Sequence, residues 1–333
     1  MQRRPMLSLL AGVAGALAAL PAQAQPASST GSGQAWPTQP VKIVVPTGPG
    51  SSLDLIVRLL GDKLAARWGQ PVVVDNKPGA GGMLGLDIVA KASDGHTLGI
   101  GFNGPLAFAP FLYRKTPYDP AKDLRPIVMT TSQPNVLAVN AEKVPARTVA
   151  ELVAWGKAQG GKMNYSSLGN GSSAHLTMEL FLAEAGVQAT HIPFNGSPPA
   201  AMAVAQGTAD ATFMVAPALL PHVQSGKVRL IAVSSAQRPD SLKDLPTLAE
   251  GGLPRVESLA WNGLAGPASM PDAVVARINA DANEALKDPG IRDAMAKSGL
   301  TIVGGSAADF KRVIDADVAR WGPIITRLGV KLD

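Results

Sequence analysis

The sequence predicts an α/β protein of two lobes, each a sheet covered by helices, with a ligand cleft between them. Three observations carry this. Short apolar runs such as Val41–Val45 and Val228–Val233 alternate with longer segments of helical period. Glycine-rich and serine-rich loops recur just after strands and just before helices. About 300 residues remain after an N-terminal leader, more than one core comfortably holds.

The leader comes first. Arg3 and Arg4 precede the apolar run Met6–Leu20, and Ala22-Gln23-Ala24 offers small residues for cleavage. The run is shorter than the ~20 residues that span a bilayer, so residues 1–24 read as a signal peptide, with Sec and twin-arginine export both open. The expected location is the periplasm. Residues 25–35, rich in Ser, Gly, Gln and Ala, read as a flexible leader.

From Trp36 the elements follow in order. Val41–Val45 is a strand closed by Pro46; a helix from Leu53 to about Trp68 places Leu53, Ile56, Leu60 and Leu64 on one face, with Ser51 as N-cap and Asp54 at N3. Val72–Val74 and Thr97–Gly101 are strands around a helix near Met83–Ala92. A second set begins at Val136–Val139 and runs through a helix over Val149–Gln159, the strand Asn164–Ser167 and a helix to about Ala185. Strands Thr190–Pro193, Ala211–Val215 and Val228–Val233 alternate with helices Pro198–Gln206 and Ala216–Ser225. Helices Pro271–Lys287 and Ala307–Leu328 close the chain. The alternation implies parallel sheets. The lobes are expected at 36–132 plus 253–333 and at 133–252, with crossings near Thr131–Gln133 and Gly251–Ser258.

Composition excludes several functions. Losing Arg3 and Arg4 leaves 28 basic against 25 acidic side chains, with no basic stripe among aromatics for nucleic acid. There is no cysteine, so neither disulfides nor an N-terminal lipid-modified Cys is available. His96, His175, His191 and His222 lack metal-ligand spacing. Gly48-Pro49-Gly50 has Leu53 where a dinucleotide fingerprint needs its third glycine. No cofactor is expected.

The candidate site lies in four loops: Thr47–Ser52, Asn103-Gly104, Gly169–Ser173 and Phe194–Ser197. Each puts free N–H groups and small polar side chains at the positive end of a helix, which suits an anion without Arg. Helix capping alone explains any one of them. A Ser172, His175, Asp210 hydrolase can be drawn on paper, but no G-x-S-x-G elbow accompanies Ser172.

At these residues the chain resembles the Bug family, extracytoplasmic receptors of tripartite tricarboxylate transporters. The match rests on 36–46 with the loop through Asp54, on Gly69–Gly82, on Gly169–Leu176, and on Pro193–Ser197 with Gly207–Asp210. The resemblance implies a type II periplasmic-binding-protein fold, two α/β lobes around a ligand cleft with a two-segment hinge. It implies a non-enzymatic protein that captures a di- or tricarboxylate, aromatic acid or amino acid for integral-membrane transporter subunits; a monomer is the default expectation, with oligomeric state open. A sensory receptor is the alternative within this class, and an exported hydrolase the alternative outside it. Carried over by position, the ligand residues are Thr47, Gly50, Ser51, Ser52, Asn103 and Gly104, with Gly169, Asn170, Gly171, Ser172, His175, Asn195 and Gly196. Thr47 stands where the family usually has an aromatic, Ser51 and Ser52 where it has glycines, and Leu53 where it has Thr.

Overall fold

The computed structural model describes residues 36–332; the signal-peptide and leader readings fall outside them. The first half contains β1 (Val41–Val45), α1 (Ser52–Trp68), β2 (Val72–Asn76), α2 (Met83–Ala90) and β3 (Thr97–Phe102). A π-helical turn over Gly104–Phe108 leads into two short helices, α3 (Ala109–Leu112) and α4 (Pro120–Asp123), and then β4 (Leu124–Pro134). The second half holds β5 (Val136–Asn140), α5 (Val149–Ala158), β6 (Met163–Ser167), α6 (Ser173–Ala185), β7 (Ala189–Pro193), α7 (Ser197–Ala205), β8 (Ala211–Met214), α8 (Ala216–Gln224) and β9 (Val228–Val233). The chain then returns through β10 (Leu259–Pro267), α9 (Asp272–Leu286), α10 (Pro289–Lys297) and α11 (Ala307–Leu328).

These strands make two five-stranded sheets of equivalent order, β2-β1-β3-β10-β4 and β7-β6-β8-β5-β9. The expected all-parallel arrangement is corrected. β10 runs antiparallel to β3 and β4, and β5 antiparallel to β8 and β9. Both reversed strands are laid down just after the chain crosses from one sheet to the other. Each therefore enters its sheet from the opposite end.

The crossing uses two neighbouring strands. β4 and β10 pair from Leu124↔Pro267 to Pro134↔Leu259, so both leave the first sheet at the same end. Beyond that end, Asn135 N–H donates to Ser234 Oγ at 2.9 Å and Asn135 Nδ2 to Ser258 Oγ at 3.1 Å. Thr177 Oγ1 donates to Ser258 Oγ at 2.7 Å. All four residues are buried, and buried polar groups that bond each other fix a unique geometry.

Apolar cores lie against both sheets. Leu53, Ile56, Leu60 and Leu64 of α1, the predicted face, are buried with Val41, Ile43 and Val45 of β1. Along α11, Phe310 meets Trp261 edge-on at 5.4 Å between centroids, and Trp321 packs 5.4 Å from Phe108. Near its end Arg327 pairs with Glu184 of α6 at 3.1 Å. No described helix is long and apolar enough to cross a membrane.

Candidate functional site

Strand-to-helix loops at the carboxyl ends of β1, β3, β6 and β7 face one another between the sheets, the usual ligand position in open α/β sheets. The first is built around Asp54. Ser51 caps α1, its Oγ accepting from Asp54 N–H at 3.3 Å, while Thr47 Oγ1 and Ser51 Oγ share a hydrogen bond of 2.6 Å. The Asp54 carboxylate accepts from Gly50 N–H, Arg58 Nε and Asn76 Nδ2, each at 3.0 Å. Burial works against its ionisation, but Arg58, the Gly50 amide and Asn76 outweigh it and hold the pKa below the usual value. Asp54 is thus committed to the loop.

In the second half, Ser172 caps α6. Its Oγ accepts from His175 N–H at 3.3 Å and donates to Gly169 O at 2.7 Å. His175 Nδ1 accepts from Gly171 N–H at 3.1 Å, so that nitrogen carries no proton. The ring stacks on His191 with centroids 4.0 Å apart, and Tyr165 stacks beyond it at 4.8 Å. Burial pushes His175 down to about 3, with His191 adding to the shift, and burial pushes His191 down to about 4. Both imidazoles are neutral at pH 7. The drawn triad does not assemble, because Ser172 gives its proton to Gly169 and Asp210 Oδ2 accepts from Asn164 N–H at 2.8 Å.

Asn103 follows β3. Its Nδ2 donates to Asp317 Oδ2 at 2.6 Å and Leu259 O at 3.2 Å, and its Oδ1 accepts from Trp261 N–H at 3.1 Å. Trp261 Nε1 donates to the same Asp317 oxygen at 2.7 Å. Burial raises Asp317 against the opposing effect of these two donors.

The loops nearly touch. A Cβ added to Gly104 would stand 2.8 Å from Gly171 O, and one added to Gly81 would overlap Asn170 O. Gly48 faces Asn195 O in the same way, at 3.3 Å. Two voids of about 20 Å³ each remain between the sheets, each room for about one water. Thr47, Gly169 and Asn195 line the first; Thr47, Ser52 and Asn103 line the second. Gly50, Ser51, Gly104, Asn170, Gly171, Ser172, His175 and Gly196 line neither; they shape the loops or meet the opposite loop.

Several lining residues were not named as ligand residues from sequence, although Ser173 and Ser197 lie in the predicted loops. Phe102 borders both voids and supplies an aromatic surface in a site where Thr47 does not. Ser173 and Ser197 are the first residues of α6 and α7, and Ser52 opens α1, so three helix N-termini border the second void. Gln133 and Asn262 come from the crossing strands β4 and β10. Among the described residues, no Lys, Arg or His lines either void. A larger depression of about 560 Å³ at Lys63, Arg67, Glu284 and Asp288 shares no residue with these loops. Its Lys63 and Asp288 already pair with each other at 2.7 Å.

Two equivalent α/β sheets joined by paired crossing strands, with helix N-termini converging between them, define a periplasmic-binding-protein fold. Residues 56–330 match the family model described as Tripartite tricarboxylate transporter family receptor, and the chain belongs to that family. Over 293 residues, 87% of each chain, it is 36% identical to a UPF0065 protein of the tcbD-tcbE intergenic region of Pseudomonas sp.. It is 34% identical to Protein BugT of Bordetella pertussis, covering 90% of this chain and 93% of that one. Among solved structures, Rpa4515 of R. palustris with adipate superposes at TM-score 0.85 with 33% identity, covering 89% of this chain and all of the other. MatC from Rhodopseudomonas palustris with bound malate superposes at 0.83 with 29% identity, covering 87% of this chain and all of the other.

Proposed function

We propose that the mature protein is a periplasmic receptor that captures a small organic carboxylate between its two sheets and delivers it to a tripartite tricarboxylate-type membrane transporter. One observation carries this reading: the N-termini of α1, α6 and α7 converge on a void lined by no cationic side chain. Their free N–H groups and dipoles favour an anion, and water exclusion strengthens each such bond. The family, and the adipate and malate bound by the two neighbours, support a carboxylate as that anion.

Capture requires motion. A void of about 20 Å³ admits no dicarboxylate, so the sheets must part for entry and close afterwards. The crossing segments at Thr131–Gln133 and Gly251–Ser258 are the proposed hinge, and 36–132 plus 253–333 and 133–252 the bodies it joins. Of the thirteen residues named from sequence, those lining the voids, Thr47, Ser52, Asn103, Gly169 and Asn195, are proposed to bind directly and the others to hold the loops that bind.

The test is thermal unfolding of the purified 25–333 protein, stripped of co-purified ligand, against a panel of small carboxylates. A ligand at 100 times its Kd adds about 2.7 kcal/mol. A rise in Tm confined to a few acids, each recovered unchanged, is the expected result. A flat response across di-, tri- and monocarboxylates, aromatic acids and amino acids overturns the reading.

A further inference from the structure

Gln133 is the outlier among the residues between the sheets. It is 3% exposed, and neither its Nε2 nor its Oε1 has a hydrogen-bond partner. Buried amides are almost always paired, and one left unpaired bears the whole desolvation cost of its donor and acceptor. Its neighbours in the crossing are engaged at one end at least: Asn262 Nδ2 donates to Thr131 Oγ1 at 2.9 Å, Thr130 Oγ1 to Asn262 O at 2.9 Å, and Asn135 Nδ2 to Ser258 Oγ at 3.1 Å, with only Asn135 Oδ1 unpaired. Asn103 uses both ends of its amide. Gln133 lines the same void as Ser52, Ser173 and Ser197, so a ligand held at the helix N-termini would lie against this residue.

From this geometry we infer that Gln133 is the specificity-determining residue of the site and selects carboxylates that carry a hydroxyl. The inference rests on the proposed carboxylate capture. The chemistry follows from the amide having both ends free. A second carboxylate accepts from Nε2 but faces Oε1 with like charge. An ammonium donates to Oε1 and offers Nε2 nothing. A hydroxyl donates to Oε1 or accepts from Nε2, and its single oxygen can do both in a chelating position. A site built to pair with a hydroxyl leaves the analogue without one facing an unpaired buried amide, which discriminates strongly. With no cationic side chain in the lining, the charge of the ligand belongs at the helix N-termini and its hydroxyl at the crossing strands.

The experiment measures Kd by calorimetry for matched acids that differ only in a hydroxyl: succinate against malate, glutarate against 2-hydroxyglutarate, butyrate against 3-hydroxybutyrate. Wild-type protein is expected to prefer the hydroxylated member of the pair that fits by tenfold or more. Gln133→Met, close in volume and without polar atoms, is expected to reduce that preference to within threefold while still binding the plain acid. Gln133→Glu, a second variant of the same shape, should weaken both acids by adding negative charge beside the anion. A wild-type preference below threefold, or a preference that survives in Gln133→Met, overturns the role given to Gln133 but leaves carboxylate capture standing. Failure of wild type to bind any of the six acids, or any acid of the wider panel, overturns both readings. If Gln133→Met does not fold, Gln133→Leu takes its place, since it too lacks both ends of the amide, and an undiminished hydroxyl preference in it is overturning.

Discussion

His191 stacks on His175 with ring centroids 4.0 Å apart, and Ser167 Oγ lies 2.7 Å from His191 Nε2. The pair forms a neutral aromatic floor under the Gly169–Ser173 loop, tied to it by the Gly171 N–H bond to His175 Nδ1. The loop's geometry therefore depends on imidazoles that stay unprotonated.

Both histidines are pushed far below their ordinary value of 6.5, to about 3 and about 4. Below pH 6.5 the unfolded chain takes up protons that the folded chain refuses, so stability falls on acidification and is regained above 6.5. By pH 5 each imidazole costs about 2 kcal/mol, less than additively because the rings interact. Carboxylates with lowered pKa values, such as Asp54, lose their contribution only at lower pH. The raised Asp317 acts in the opposite sense in every variant alike. A His175→Gln, His191→Gln double variant should show a flatter Tm between pH 7 and pH 5. An unchanged slope would assign the pH dependence elsewhere.

Gly81 and Gly69 separate contact between the sheets from backbone strain. Their φ values are +62 and +66, so alanine at either costs about 1–2 kcal/mol. A Cβ at Gly69 meets nothing within 4 Å, whereas one at Gly81 overlaps Asn170 O across the cleft. Gly69→Ala should lower Tm and leave ligand affinity unchanged. Gly81→Ala should lower Tm similarly and also weaken binding at least tenfold, because the loops can no longer meet. Equal affinities in the two variants would show that the close approach is not part of the bound state.

These positions also show what sequence alone could and could not reveal. Ser51 as N-cap and Asp54 at N3 were legible because capping is set by neighbours along the chain. The same holds for Ser172 ahead of α6. β4 was missed because Arg125, Pro126, Thr130, Thr131 and Ser132 break any strand-like apolar pattern. β10 was missed because Asn262, Gly263 and Gly266 do the same. Those residues are strand only because each strand pairs with the other along its length. Strand direction was illegible for the same reason. The distinction of Gln133 lies in partners it lacks in three dimensions, and no local signal carries that. His175 was named a ligand residue through the resemblance alone, and the bond its Nδ1 accepts from Gly171 N–H is a loop contact that no local pattern announces.

Asp54 should matter more than the arginine it pairs with. Arg58 is 54% exposed at its side chain, and an i,i+4 pair on a helix surface contributes little after solvent screening. Asp54 additionally accepts from Gly50 N–H and Asn76 Nδ2. Asp54→Ala should cost about 2 kcal/mol in urea unfolding and loosen the Thr47–Ser52 loop enough to weaken ligand binding. Arg58→Ala should cost clearly less than Asp54→Ala, with affinity retained. The reverse order would mean that the ion pair, not the loop bonds, holds Asp54 in place.

Ser172→Ala tests whether the site does any chemistry. The hydroxyl proton is committed to Gly169 O, and His175 Nδ1 is committed to Gly171 N–H. The other ring nitrogen, Nε2, lies 3.9 Å from Glu179 Oε1 on the following turn. No general base is left to activate Ser172, and a nucleophile without one is weak. Loss of the N-cap should cost about 1 kcal/mol and weaken ligand binding by disturbing the loop. Incubation of wild type and variant with ester and amide substrates should give the same background hydrolysis. Turnover by wild type that vanishes in Ser172→Ala would make the protein a hydrolase, since a capture site predicts a change in affinity alone.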